Sequence, residues 1–203
     1  MSTVIMHSVV SVDGFIADAK DQVGPLFDWL VQGDVELIEG GELKVSRASA
    51  GYVQAMWAGI GAMVIGRHLF DMTDGWDGAP PAGDHVVVVS HRPRPGDWHP
   101  RGTNRVHPRP RQASYHFISD VAQAIATAKE LAGERTVVVA AGDVGGQALA
   151  LGLVDEVAMD VVPVVFGAGK RYFGAVDAQH LLEDPHTVIQ GDRVLHLRYR
   201  VRR

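Results

Sequence analysis

The hydrophobic pattern of this chain changes period repeatedly, and each change marks an element. TVIMHSVVS, over about residues 3–11, is rich in β-branched residues and halts at Asp13-Gly14, which predicts a strand and a turn. Residues 17–46 keep no steady period, are punctuated by Gly24-Pro25 and Gly40-Gly41, and read as a long excursion with little regular structure. Tyr52, Val53, Met56, Trp57 and Ile60 then recur at helical spacing, so 46–60 is predicted helical. AMVIG (62–66) is a short buried strand and RHLFDM opens another helix. HVVVVS (85–90) and YHFI (115–118) are further strands. The helix SDVAQAIATAKELAG follows, with Ser119 as its N-cap and Gly133 just past its end. RTVVVAAG and DVGGQALALG repeat the strand-to-helix change.

After Val154 the helical period disappears. DEVAMDVVPVVFG, HTVIQG and VLHLRYRVR predict strands, the last two joined at Gly191-Asp192 as a hairpin. Alternating strands and helices predict an α/β fold with a mostly parallel mixed sheet flanked by helices, closed by a C-terminal antiparallel hairpin. The late strands are expected at antiparallel edges. The stretch 92–112, rich in proline and arginine, reads as a surface loop because strands resume on both sides, so 1–203 counts as one domain.

Composition narrows the chemistry. With 46% hydrophobic and 21% charged residues the chain can bury a sizeable core, and its net charge of -5 gives no general pull toward nucleic acid or anionic membrane. No cysteine is present, which excludes disulfides, thiolate nucleophiles and cysteine metal sites. Its N-terminal stretch lacks a basic region and carries an early aspartate, unlike a signal peptide, and the expected location is cytoplasmic. Ten histidines are scattered without a helical i, i+4 pair, so no metal site is expected.

Three strand-to-helix turns carry the candidate chemistry, all at the C-terminal ends of predicted parallel strands, where open α/β sheets bind ligands. In IGRHLF (65–70), Gly66 permits a close turn, and Arg67 and His68 offer donors to an anion. The alternative is a plain tight turn with Arg67 in solvent. In VVVVSHRPRP (86–95), Ser90, His91 and Arg92 place a hydroxyl, an imidazole and a guanidinium together, a set suited to a phosphate monoester. Six arginines fall between 92 and 111, but only Trp98 interleaves them, which argues against a nucleic-acid surface; a solvated loop is the plainer rival. The third turn, GDVGG (142–146), departs from the G-x-G-x-x-G dinucleotide fingerprint and stands two-thirds along the chain. Gly145 and Gly146 are the glycines expected to let a dinucleotide approach the backbone, while Gly142 serves a tight turn.

Together SVDGFIA (11–17), IGRHLF, VVS (88–90) and residues 142–173 resemble the dihydrofolate-reductase-like superfamily. More closely they are similar to the reductase domain of bifunctional riboflavin-biosynthesis deaminase-reductases and its stand-alone bacterial relatives. The resemblance implies NADPH as cofactor and hydride transfer to a small heterocyclic (pterin- or pyrimidine-like) or sugar-derived substrate, commonly in a homodimer. By matching positions it implies that Gly66, Arg67 and His68 meet the pyrophosphate and adenosine side, and Ser90, His91 and Arg92 the 2′-phosphate. It further implies that Gly142, Asp143, Val144, Gly145 and Gly146 border pyrophosphate and ribose, with Val9, Ile16 and Ala17 flanking the nicotinamide. Asp28 stands roughly where a substrate-anchoring carboxylate is expected; the alternative is that it caps a short helix. FGAGKRYF (166–173) is a candidate substrate mouth through Lys170 or Arg171, or a solvated loop. Asp13 is expected to be structural. A non-catalytic dinucleotide-binding protein and a reductase using a flavin or deazaflavin stay open as alternatives.

Overall fold

The structure, a computed structural model, describes residues 2–108 and 110–202; Arg109, one of the six arginines of the 92–112 stretch, lies outside the described residues. Twelve strands are formed: β1 (Val4–Ser11), β2 (Phe15–Asp18), β3 (Val35–Glu36), β4 (Lys44–Val45), β5 (Ile60–Gly66), β6 (His85–Val89), β7 (Ser114–Ile118), β8 (Thr136–Ala140), β9 (Glu156–Val162), β10 (Gly169–Arg171), β11 (Thr187–Gly191) and β12 (Val194–Arg200). Four helices accompany them: α1 (Arg47–Gly59), α2 (Arg67–Thr73), α3 (Val121–Ala132) and α4 (Asp143–Ala150). Eight strands join one sheet in the order β11-β12-β9-β1-β8-β5-β6-β7. β9, β1, β8, β5, β6 and β7 run parallel, while β12 and β11 continue antiparallel from β9.

Strand alternation divides the core in two. Val4, Met6 and Val10 of β1, Ala62 and Val64 of β5, and Val137 and Val139 of β8 pack under α3 and α4. Their neighbours Ile5, Val138 and Ile65 face the other way, toward α1 and α2. In α3, buried Val121, Ala124, Ile125, Ala128 and Ala132 form the apolar stripe that docks on the sheet.

Several expectations are corrected in detail. β9 lies inside the sheet, parallel to β1, and only β12 and β11 add the antiparallel edge. The cap of α3 is Asp120, whose carboxylate accepts the Gln123 N–H at 2.8 Å, and not Ser119. Asp120→Ala should therefore cost about 1 kcal/mol, whereas Ser119→Ala stays within about 0.5 kcal/mol; urea denaturation distinguishes them. The 17–46 excursion also holds more order than its composition suggests. β2 pairs antiparallel with β10, and a 3-10 helix spans Gly24–Val31. Among the described residues, no helix is long and apolar enough to cross a membrane.

Candidate functional site

Because the parallel strands share one direction, their C-terminal ends form a common edge where the three predicted turns meet. Gly66 ends β5 and leads straight into α2. A Cβ on Gly66 would stand 3.3 Å from Val144 Cγ2, so the first and third turns abut. Gly142 begins α4 with φ +89°, donates its N–H to Tyr172 O at 2.6 Å, and has Ile16 Cδ1 3.1 Å from where a Cβ would lie. Ile16, Gly142, Val144 and Gly66 are thus brought together across the edge. Asp143 is exposed at the first turn of α4, while Val9 and Ala17 are buried.

The second turn folds around Ser90. Its Oγ donates to Arg92 O at 2.7 Å and accepts the Arg92 N–H at 3.0 Å. Arg67 reaches across from α2, donating from Nη1 to Pro93 O at 3.0 Å and to Ser90 Oγ at 3.5 Å. Asp71 takes Arg67 Nε at 2.6 Å and Arg92 Nη2 at 3.0 Å. The hydrogen bond from Arg67, then the charges of both arginines, hold the exposed Asp71 carboxyl below its usual range. Two guanidiniums therefore share one carboxylate, with a cation in excess beside the Ser90 hydroxyl. His91 is exposed on the same loop. His68 turns elsewhere: its Nε2 lies 2.5 Å from Asp21, which also binds Lys170 Nζ at 2.8 Å and so ties α2 to β10.

Gly145 and Gly146 are placed differently from the expectation of open backbone. Both are buried in α4. A Cβ on Gly145 would stand 2.7 Å from Ala140 O, and one on Gly146 only 2.2 Å from Phe173 O. Their missing side chains admit the chain's own backbone.

Of the residues expected at a substrate, Asp28 is exposed in the middle of the 3-10 helix, between buried Leu26 and Trp29. That helix starts after Val23 without a side-chain cap, so Asp28 does not cap it. Asp13 is structural: it accepts Ser11 Oγ–H at 2.6 Å and the Gly167 N–H at 2.7 Å, which fastens the loop after β9 to the end of β1. Lys170 is committed to Asp21, whereas Arg171 lines a cavity of about 470 Å³ floored by Phe15, Leu149, Val176 and Leu182.

A polar cluster that motif spacing did not reveal lies on the α1 face of the sheet. Asp160, at the centre of β9, stands beside Val9 of β1 and His196 of β12 in the strand register. His7 Nε2 is 3.0 Å from Asp160 Oδ2, His196 Nδ1 is 2.6 Å from Oδ1, and Ser49 Oγ of α1 lies 2.9 Å from His196 Nε2. Burial pushes the Asp160 carboxyl up, but the charge of His7 and the hydrogen bonds from both histidines outweigh it and hold the pKa at about 2. The signal in the sequence was an ionisable residue midway along each of three apolar strands, because a charge there must be paired. Among the described residues, no group of three or more His, Asp or Glu side chains has metal-ligand geometry.

Comparison with known proteins places this arrangement. Residues 2–195 match the family described as the RibD C-terminal domain. No curated protein matches the chain. Among solved structures, a protein of Shewanella sp. PV-4 named for riboflavin biosynthesis aligns over 100% of both chains, with 18% identity and a TM-score of 0.67. RibD of Acinetobacter baumannii aligns over 100% of this chain and 58% of its own, with 18% identity and a TM-score of 0.61. The diaminohydroxyphosphoribosylaminopyrimidine deaminase/5-amino-6-(5-phosphoribosylamino)uracil reductase of Thermotoga maritima aligns over 99% of this chain and 57% of its own, with 15% identity and a TM-score of 0.62. The chain thus spans under three fifths of the length of these last two proteins. At such identities the neighbours establish the fold, an α/β sheet shared with RibD reductase-like structures.

Proposed function

Starting from a chain that belongs to the RibD C-terminal domain family, the riboflavin-pathway type of reductase, we propose that it is an NADPH-dependent reductase of a small pyrimidine- or pterin-like or sugar-derived substrate. The observation that carries this reading is the cationic corner of Arg67, Ser90 and Arg92 at the C-terminal sheet edge. A phosphate monoester there finds two guanidiniums compensated by one carboxylate, and guanidinium forks suit phosphate oxygens. The remainder of the dinucleotide would lie along the edge past Gly66, Val144, Gly142 and Ile16. When bound, the nicotinamide supplies a hydride, so the protein needs no nucleophile and acts by placement and exclusion of water. The residues that would shape that end are Val9, Ile16 and Ala17.

Differential binding tests the reading. NADPH should raise the melting temperature of the purified protein more than NADH at equal concentration. A wild type that responds to neither dinucleotide overturns the proposal, and a response to flavin or deazaflavin alone redirects it. Arg92→Ala should weaken NADPH binding by roughly tenfold or more, the scale of one charge-assisted hydrogen bond, and leave NADH nearly unchanged. Equal losses for both would remove Arg92 from contact with the 2′-phosphate. Turnover is measured as NADPH oxidation with 5-amino-6-(5-phosphoribosylamino)uracil and with a dihydropterin. A cytoplasmic homodimer belongs to the same proposal, and sedimentation of the purified protein tests its stoichiometry.

A further inference from the structure

Hydride transfer to a C=N or C=O bond requires a proton for the heteroatom, and neither the three turns nor exposed Asp28 supplies an obvious one. The buried cluster on the α1 face does. Its hydrogen bonds can be counted donor by donor. With Nδ1 protonated, neutral His196 donates to Asp160 Oδ1, and its Nε2 accepts the Ser49 hydroxyl. Ser49 Oγ in turn accepts from Ser46 Oγ at 3.3 Å. Both ring nitrogens of His196 are thereby partnered, and it is 0% exposed. His7 meets the other oxygen, with Nε2 3.0 Å from Asp160 Oδ2, and its side chain is 18% exposed. Of the two imidazoles on this carboxylate, only His7 keeps a nitrogen for a ligand.

His7 is also well placed. It precedes Val9 by two residues on β1, so both side chains share one sheet face, roughly 7 Å apart along the strand. A ring lying against the residues that flank the nicotinamide is therefore within reach of His7. Two donors of the same wall lack partners among the described residues: the Tyr52 hydroxyl and the buried Trp29 indole N–H. Both rings pack on His196, with centroids at 4.7 Å and 5.3 Å. Burial first, and then the Asp160 charge, push the Tyr52 phenol up, so it remains a donor.

We propose that His7, held by Asp160, is the proton donor of the reduction. The inference rests on the reductase reading above. With the cofactor bound, a hydride would reach the acceptor's C=N or C=O carbon, and its π-electron pair would move to the nitrogen or oxygen. That atom takes the Nδ1 proton of protonated His7, leaving neutral imidazole that solvent reprotonates. The two electrons the acceptor gains would be those of the hydride. His7 is the catalytic residue; Asp160 is a positioning residue, and His196, held in turn by Ser49, occupies its second oxygen.

The test compares wild type, His7→Gln and Asp160→Asn. Glutamine preserves a donor toward Asp160 but carries no transferable proton. The other titratable group on the carboxylate is His196; Tyr52 of α1 feels the charge of Asp160 and those of Arg198 and Glu156, which are bound to each other. With NADPH and 5-amino-6-(5-phosphoribosylamino)uracil or a dihydropterin, His7→Gln should lower kcat by roughly 10²–10⁴-fold. Its affinity for NADPH, from fluorescence titration, should change less than about threefold. Independently of turnover, imidazole ¹⁵N spectra should show a protonated Nε2 on His7, perturbed in Asp160→Asn and by adding NADP⁺. Asp160→Asn should lower kcat while leaving the KM for NADPH unchanged. A His7→Gln enzyme that keeps kcat within about threefold, or a His7 with bare Nε2, overturns the proposal. So does a wild type that binds NADPH but reduces neither acceptor. A wild type that does not bind NADPH instead overturns the reading on which the proposal rests.

Discussion

Asp160→Ala is expected to destabilise the folded protein by about 3–5 kcal/mol, the usual consequence of removing one partner of a buried ionic set. His7 and His196 would be left facing a cavity, and Ser49 would lose the acceptor state of the imidazole it binds. At roughly 2–4 °C per kcal/mol for a chain of this size, the melting temperature should fall by on the order of 10 °C. A loss below about 1 kcal/mol in urea denaturation would show that the cluster adds nothing to the fold. The same carboxylate makes stability depend on pH with a definite sign. Its folded pKa of about 2 lies below the ordinary aspartate value of 3.8, so its contribution is present above pH 4 and is lost as pH falls toward 2. That contribution is on the order of 2 kcal/mol. In Asp160→Asn this part of the acid sensitivity should disappear, which urea midpoints between pH 6 and pH 2.5 would register.

The polar cluster also shows where reading the chain in one dimension loses information. Elements with a clear period were legible: β1, α1, α3 and the parallel run follow from β-branched strands and an apolar helix stripe. The shared edge was legible too, because two of its turns put glycine directly after a strand and the other puts Ser90, His91 and Arg92 there. What escaped was pairing. Whether β9 sits at an edge or beside β1 depends on a partner some 150 residues away, and no local pattern states it. β10 and β2 are short and carry few β-branched residues, so their ribbon exists only because each completes the other. His7, Asp160 and His196 are likewise unremarkable singly; the register of three strands makes them one group. The α3 cap was missed for a smaller reason, since Ser119 and Asp120 both favour that position and the chain turns one residue later. Asp28 was read by its distance from β1, and its 3-10 turn leaves it in solvent.

Gly146→Ala should be the most damaging change at the third turn, and it separates folding from binding there. The new Cβ would stand 2.2 Å from Phe173 O and 3.1 Å from Phe173 C, so backbone must move. That backbone is poorly free to do so. Tyr172, one residue earlier, accepts the Gly142 N–H at 2.6 Å. Its buried hydroxyl donates to Met6 O at 3.0 Å and Ala158 O at 2.7 Å. Overpacking against a segment pinned in this way costs about 3 kcal/mol, which predicts a melting temperature lower by roughly 6–12 °C. Gly66→Ala is the contrast, because its Cβ meets only the tip of the Val144 side chain at 3.3 Å. It should leave stability within about 1 kcal/mol while narrowing the crevice where NADPH is proposed to lie. If Gly146 instead served the dinucleotide, its alanine variant would keep the wild-type melting temperature and lose NADPH affinity. The packing around Phe173 argues for the opposite pair of results: Gly146→Ala unfolds early, and Gly66→Ala binds weakly.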